Sequence, residues 1–280
     1  MIGLDQLAGM NIHYLYYSLE SFLQYQQKIG ITAIELWGGC PHVFMDSISY
    51  SDCAKIKKLA SSYDQRIIAF TPESIIYPYN VAAPEAMQWE KSKGYFSNAV
   101  KATAELGSKI MTINSGYGLE NEDVSESWKR SREMLSFLSD IADSEGIEIA
   151  LETLRPEESK IVTTLQDVQR MLSEVRSEQL KPMIDCTALA VAGEALEDWF
   201  ESFGDEIVHM HFIDATSNGG HLAWGDGELN LFESLLKLNK YEYSGYLGQE
   251  ITDLKYFEKP FQADQQVVES FKKTLKLLPR

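Results

Sequence analysis

Cysteine is scarce in this sequence. The 280 residues include three cysteines, Cys40, Cys53 and Cys186, and no Cys-x-x-Cys pair. An odd number of cysteines without paired spacing argues against a disulfide framework and against a zinc site built from thiolates. We therefore expect a reducing compartment, and the composition favours a cytoplasmic localisation.

Positive charge is scarce as well. The 25 Lys and Arg residues are outnumbered by 42 Asp and Glu, which gives a formal net charge of -17. Such a surface repels phosphate backbones, so a nucleic acid is not an expected partner. The chain also lacks an apolar run near the ~18 residues of a membrane span, and its start has Asp5 but no basic leader region. No membrane association is expected.

The glycine motifs of nucleotide-binding sheets are missing too. No GxGxxG follows the first predicted strand and no GxxxxGK[ST] occurs, which weakens the alternative of a doubly wound open sheet. No Pro/Gly/Ser-rich linker or low-complexity tract divides the chain. Residues 1–280 are therefore expected to form a single domain.

Short apolar runs alternate with longer amphipathic stretches along the whole sequence. This pattern indicates repeated βα units, and Gly30, Gly107 and Gly146 each end a helical stretch just before a strand begins, as after the helix predicted at Ala86–Leu106. The length fits the roughly 250 residues of a (β/α)8 barrel. The sequence predicts an α/β fold, a (β/α)8 TIM barrel, with strands at Leu7–His13, Thr32–Leu36, Arg66–Phe70, Lys109–Ile113, Glu148–Leu151, Pro182–Ile184, Ile207–Phe212 and Tyr246–Gln249.

Metal-ligating side chains follow the last four predicted strands. Glu152, Asp185, His211 and Glu250 lie at the carboxyl ends of strands five to eight. Because these ends converge on the mouth of a barrel, the four side chains are candidates to hold one divalent ion. Three carboxylates and one imidazole favour Mn²⁺, with Mg²⁺, Co²⁺ or Zn²⁺ as alternatives. Taken singly, each carboxylate could instead cap the following helix.

His209 shares a face of its strand with His211, because side chains alternate along a strand. One imidazole of the pair is then expected to be a ligand. The other is expected to orient that ligand or to face the substrate.

Seven segments resemble one known family. They resemble the xylose-isomerase-like barrels and, within these, the D-tagatose/D-psicose 3-epimerase group with its fructoselysine branch. The segments span predicted strands two to eight and are IELWGGCPHVF (34–44), FTPESIIYPYN (70–80), LETLRPEES (151–159), IDCTALA (184–190), HMHFID (209–214), GDGELNL (225–231) and GYLGQEI (245–251).

The resemblance implies a metal-dependent sugar isomerase or epimerase. It places the metal on the same four residues and makes Glu152 and Glu250 the catalytic acid/base pair. Glu158 matches a position that contacts the substrate near its reacting carbons. A small-molecule sugar or ketosamine is the expected partner, and the protein is expected to be a homo-oligomer.

Two departures from the free-ketose epimerases bear on the substrate. Those enzymes usually have a histidine where this chain has Ala188, and an arginine shortly after the residue that matches His211, where this chain has none. Both changes disfavour a plain hexulose and favour a ketosamine such as fructoselysine. Glu73 is a candidate to pair with the ammonium of such a substrate, although electrostatics at a helix N-terminus would explain it equally well.

Two further side chains are candidates for the substrate pocket. Trp37 and His42 fall in the loop after the second predicted strand, and in a barrel such loops build the catalytic face. Packing in the core is the alternative for both.

The mechanism expected is inversion of C3 through an enediolate. One glutamate removes the C3 proton while the other supplies a proton to the opposite face. An aldose–ketose isomerase or a metal-assisted dehydratase on the same barrel stays open, as does a non-catalytic sugar-binding barrel. A DNA-repair endonuclease of related fold is disfavoured by the five histidines and the acidic surface.

Overall fold

The computed structural model describes residues 1–74 and 78–279. Within these residues the strands are β1 (Leu7–Met10), β2 (Ala33–Gly38), β3 (Arg66–Pro72), β4 (Ile110–Asn114), β5 (Glu148–Glu152), β6 (Leu180–Asp185), β7 (His209–His211), β8 (Asp214–Thr216), β9 (Gly219–Leu222) and β10 (Leu247–Gln249). The helices are α1 (Leu19–Ile29), α2 (Tyr50–Ser62), α3 (Ala86–Leu106), α4 (Val124–Glu145), α5 (Leu165–Val175), α6 (Cys186–Ala192), α7 (Leu196–Phe203), α8 (Leu231–Lys240) and α9 (Pro260–Leu275). Short 3-10 turns lie at Leu4–Gln6, Ile12–Tyr14, Gly204–Glu206 and Leu254–Tyr256.

Eight parallel strands close into a barrel in the order β1-β10-β7-β6-β5-β4-β3-β2. Each of the eight predicted strands overlaps one of them, so the (β/α)8 barrel is confirmed. The first strand is shorter than predicted. It ends at Met10 because Asn11 turns the chain into a 3-10 turn. The side-chain oxygen of Asn11 then accepts a hydrogen bond from the backbone N–H of Trp37 in β2 (2.7 Å).

Helices alternate with the barrel strands, as the alternation of apolar runs and amphipathic stretches predicts. Helix α3 has the predicted bounds, and Gly107 ends it with a φ of 83°. Gly30 and Gly146 end α1 and α4 in the same left-handed conformation, which glycine adopts at little cost. The helices pack their apolar faces on the outside of the barrel, with fully buried side chains such as Phe22, Phe96 and Phe271. None of the described helices is long and apolar enough to cross a membrane.

The barrel interior is apolar at one end only. Ala8, Ala33, Ile68 and Ala69 form a small apolar cluster of their own. Closer to the carboxyl ends of the barrel strands, the buried positions include Glu35, Thr112, His209 and His211, which are polar. Polar side chains buried inside a barrel require hydrogen-bond partners or a metal, so this end of the interior is the candidate place for a functional site.

An antiparallel hairpin that the sequence did not predict follows β7. It consists of β8 and β9, and it lies outside the barrel sheet. Asp214 holds the following segment against it: Oδ1 accepts hydrogen bonds from Ala215 and Leu229, and Oδ2 accepts from Gly225 and Gly227 (2.8–3.0 Å). Because the hairpin starts at the carboxyl end of β7, it stands at the mouth of the barrel.

Candidate active site

Four strand ends bring the predicted ligands together. Glu152 and Asp185 end β5 and β6, His211 ends β7, and Glu250 directly follows β10. One donor atom from each lies within 4.8 Å of the other three. The Nδ1 atom of His211 is 2.7 Å from Glu152 Oε1, 3.1 Å from Glu250 Oε2 and 3.6 Å from Asp185 Oδ2. The four side chains therefore surround one point at the barrel mouth.

The chemistry of these donors fits a divalent cation. Ligands that sit roughly 2.0–2.6 Å from one ion lie about 3 Å from their neighbours, which is the spacing found around His211 Nδ1. Asp185 Oδ2 is buried, and no described residue gives it a hydrogen bond. Its other oxygen accepts from the Ala188 N–H (2.6 Å) at the start of α6. One oxygen of Asp185 therefore caps α6, and the second oxygen remains available to a metal.

A buried carboxylate lies beneath the candidate ligands. Glu35, on β2, is fully buried, and its two oxygens lie 3.0 Å from His211 Nε2 and 2.8 Å from His209 Nε2. Since a carboxylate only accepts hydrogen bonds, both Nε2 atoms must donate to it, which leaves His211 Nδ1 to face the metal position. Gly248 makes room for this arrangement, because a Cβ there would lie 2.3 Å from Glu35 Oε2.

Charges within the site shift its pKa values in opposite directions. Burial raises the pKa of Glu152 to about 7, against the opposing effect of His211. Burial acts the same way on Asp185 and Glu250, but the nearby imidazoles outweigh it and lower the pKa of both carboxyls. Burial disfavours the charged forms of His211 and His221, yet the surrounding carboxylates raise the pKa of both, for His221 to about 10. Without a cation, protons are therefore bound by His211 and His221 and, below a pH of about 7, by Glu152.

A cavity is lined by three of the four candidate ligands, Glu152, Asp185 and Glu250, and the fourth, His211, is fully buried. Glu158 lies at the wall of this cavity and is held there by Arg155, whose guanidinium donates to both carboxylate oxygens (2.5 and 3.1 Å). Trp37 also lines the cavity, and its indole N–H donates to Glu73 Oε2 (2.9 Å). Three of the predicted substrate-binding residues, Trp37, Glu73 and Glu158, therefore line the same cavity as three of the candidate ligands.

The other two predicted substrate-binding residues lie elsewhere. His209 is fully buried beneath the site and bonds to Glu35, which matches the alternative that it orients His211. In the described structure His42 is not part of the cavity lining: Nδ1 contacts the Asn11 amide (2.7 Å) and Nε2 contacts the Tyr17 carbonyl (2.9 Å). Burial lowers the pKa of His42. Part of the FTPESIIYPYN segment, residues 75–77, lies outside the described residues.

Three residues of the site were missed by sequence reasoning. Glu35 carried a usable signal, because it is a charge inside the apolar run AIELW and therefore needed a buried partner. Arg155 lies three residues after a ligand and lines the cavity. His221 follows two glycines outside any apolar run, and only the unpredicted hairpin brings it to the cavity.

Comparisons of the sequence with known proteins identify its family. The sequence model of the family described as "Xylose isomerase-like TIM barrel" matches residues 23–276. The chain is 30% identical to fructoselysine 3-epimerase from Shigella flexneri over 249 residues, which cover 89% of this chain and 90% of that protein. Fructoselysine 3-epimerase from Escherichia coli O157:H7 matches with the same identity and coverage.

Solved structures share the fold at lower sequence identity. The 3-keto-D-glucoside 4-epimerase from E. coli superposes with a TM-score of 0.79 at 16% identity, over 96% of this chain and 99% of that chain. D-psicose 3-epimerase from Clostridium cellulolyticum H10 gives a TM-score of 0.78 at 15% identity, over 98% of this chain and 100% of that chain. At this identity the structural likeness establishes the barrel alone.

Proposed function

Because this chain belongs to the xylose isomerase-like TIM barrel family, we propose that it is a metal-dependent sugar epimerase that inverts C3 of a ketosamine such as fructoselysine. The observation that carries the proposal is the placement of Glu152 and Glu250. Glu152 ends β5 and Glu250 directly follows β10. These two strands are separated by β6 and β7 in the barrel, and the donor oxygens of the two glutamates lie within 4.8 Å of each other. Two carboxylates thus approach one point from two sides.

Epimerisation at a carbon next to a ketone requires a base on one face and an acid on the other. We assign these roles to Glu152 and Glu250: one takes the C3 proton, and the other gives its proton to the opposite face of the same carbon. The two residues then exchange their protonation states. A divalent ion, with Mn²⁺ as the preferred one, would be held by Glu152, Asp185, His211 and Glu250, and would polarise the ketone and stabilise the enediolate.

The cavity supports an amine-bearing sugar as the substrate. Glu73 lines it together with Glu158, and the Trp37 indole orients the Glu73 carboxylate. An ammonium group on the substrate tail would replace water around Glu73 with an ion pair. The relatives at 30% identity are named for a lysine-linked sugar, which agrees with this choice.

The test is incubation of the protein with Mn²⁺ in D₂O, with fructoselysine and with a panel of free ketoses, followed by NMR. We expect deuterium at C3 of the product and a second C3 epimer. Deuterium at C1 or C2 with an aldose product would instead identify an aldose–ketose isomerase, and loss of water would identify a dehydratase. No exchange at any carbon, with or without metal, would leave a sugar-binding barrel. A homo-oligomeric state stays a prediction that light scattering would test.

A further inference from the structure

His221 reaches the candidate site from the hairpin and not from the barrel. It lies on β9, and its backbone is anchored on both sides. The hydroxyl of Thr187 donates to the Gly220 carbonyl (3.2 Å), and the N–H groups of Thr252 and Asp253 donate to the His221 carbonyl (3.2 and 3.4 Å). These contacts tie His221 to the segments that follow Asp185 and Glu250.

The imidazole of His221 points into the catalytic cavity. Its Nε2 lies 3.2 Å from Glu250 Oε2 and 3.4 Å from Asp185 Oδ2, and the side chain is 13% exposed, so it borders both the ligands and the open space above them. A divalent ion between the carboxylates would take over the neutralisation of these oxygens. The Nε2 proton of His221 then becomes available to another acceptor at the same place.

Neither Ala188 nor Arg155, which line the same cavity, competes with His221 as a hydrogen-bond donor. Ala188 lines the same cavity with only a methyl group, and the Thr187–Gly220 hydrogen bond joins the residue before Ala188 to the residue before His221. Arg155 is the other basic side chain of the described cavity lining, and it is already paired with Glu158. His221 is therefore the basic donor of the cavity that lies next to the metal ligands.

We propose that His221 is a substrate-binding residue that donates from Nε2 to an oxygen of the sugar beside the reacting carbon. This inference rests on the proposed epimerase function, and it assigns to the hairpin a part in recognising the sugar. The contact is to the sugar and not to the metal, because His221 meets two of the four ligands from the cavity side. The substitution His221→Leu removes the donor at similar size, and His221→Gln retains an N–H donor.

The experiment compares the wild-type protein with His221→Leu and His221→Gln, and uses Leu254→Ala at an exposed position near the mouth as the control. Mn²⁺ affinity is read by electron paramagnetic resonance. Binding of fructoselysine and D-fructose is read by Mn²⁺-induced broadening of the sugar NMR signals, and kcat and KM are read from C3 epimerisation. We expect His221→Leu to weaken sugar binding about tenfold or more, because a hydrogen bond beside charged groups is lost. Mn²⁺ affinity should not fall, the melting temperature of the Mn²⁺-loaded protein should stay unchanged, and His221→Gln should recover part of the sugar binding.

The outcomes separate this inference from the function on which it rests. A tenfold loss of Mn²⁺ affinity in His221→Leu would make the residue a metal ligand and overturn the inference. Unchanged sugar binding and unchanged KM in His221→Leu would overturn the inference as well. C3 exchange by the wild type would in that case still support the epimerase function. If the wild type binds the sugars but exchanges no C3 proton, the function fails. The broadening experiment then still decides whether His221 contacts the sugar.

Discussion

The imidazole of His211 donates from Nε2 to Glu35 Oε1 across 3.0 Å, inside the barrel and away from solvent. The opposite nitrogen, Nδ1, faces the carboxylates of the candidate metal site. Glu35 therefore fixes both the orientation and the tautomer of a candidate metal ligand without being one of the four candidate ligands itself. The Thr71 hydroxyl donates to the same Glu35 oxygen (2.5 Å) and holds the carboxylate in place.

Replacing Glu35 should weaken metal binding. In Glu35→Gln the side chain keeps its shape but loses the charge that favours an Nε2–H on His211, so we expect Mn²⁺ affinity to fall about 10- to 100-fold. Electron paramagnetic resonance of free Mn²⁺ measures this. The control is Glu148→Gln at the start of β5, which should leave the affinity unchanged. Equal affinity in wild type and Glu35→Gln would show that Glu35 has no part in the metal site.

Gly248 should tolerate no side chain. In Gly248→Ala the added Cβ would lie 2.3 Å from Glu35 Oε2 and 3.1 Å from His209 Nε2, both fully buried. We expect a loss of about 1–3 kcal/mol in the free energy of unfolding, as in other overpacked cores. The matched control is Gly94→Ala in α3, where nothing lies within 4 Å of the new methyl group. It should gain roughly 0.5–1 kcal/mol from helix propensity. The free energy of unfolding of both variants is measured with urea. Equal changes in Gly248→Ala and Gly94→Ala would contradict this account.

The two glutamates should be needed for turnover but not for folding. Glu152→Gln and Glu250→Gln keep the shape of each side chain and remove the base, so C3 exchange should fall by about 10²–10⁴-fold or more. Melting temperature should change little, because neither carboxylate caps a helix in the described structure. Unfolding of either variant would point to a structural role instead. Mn²⁺ affinity is measured alongside, since each residue is also a candidate ligand.

Metal binding should depend on pH with a definite sign. Burial raises the pKa of Glu152 to about 7 in the metal-free protein, and the surrounding carboxylates raise the pKa of His211 despite its burial. A cation must displace these protons, so affinity falls as pH falls, about tenfold per pH unit for each displaced proton. The dependence should become steeper below the Glu152 pKa. Titrations with Mn²⁺ between pH 6 and 8 measure the slope, and a flat profile would contradict the ligand assignment.

The sequence predicted those parts of the site in which a metal-ligating side chain lies at or near the carboxyl end of a predicted strand. This holds for Glu152, Asp185, His211 and Glu250, and the barrel topology brings such ends together. The hairpin was not predictable in this way. Its strands have three and four residues with little apolar patterning, and its position depends on the hydrogen bonds of Asp214.

Contacts between distant segments explain the remaining differences. His42 was placed near the pocket from its loop, but its two nitrogens bond to Asn11 and Tyr17, which lie far away in sequence. Glu35 and His209 are 174 residues apart and meet only when the barrel closes. The pattern of apolar and polar residues along the chain predicts where a strand ends. Contacts such as Glu35–His209 depend instead on the register between strands that are distant in sequence.

The substrate prediction depends on Glu73. Its Oε2 accepts from the Trp37 indole (2.9 Å), and the residue lines the cavity beside the candidate metal ligands, where the proposed substrate would bring its cationic group. We expect kcat/KM for fructoselysine to exceed that for D-fructose, and Glu73→Gln to reduce this ratio about tenfold or more, because the charge-assisted hydrogen bond to the ammonium is lost. Glu90→Gln on the exposed face of α3 is the matched control and should keep the ratio. The measurement is C3 epimerisation of both sugars under the same Mn²⁺ concentration. If D-fructose is the better substrate, or if Glu73→Gln leaves the ratio unchanged, the ketosamine assignment fails while the metal site and the acid/base pair stand.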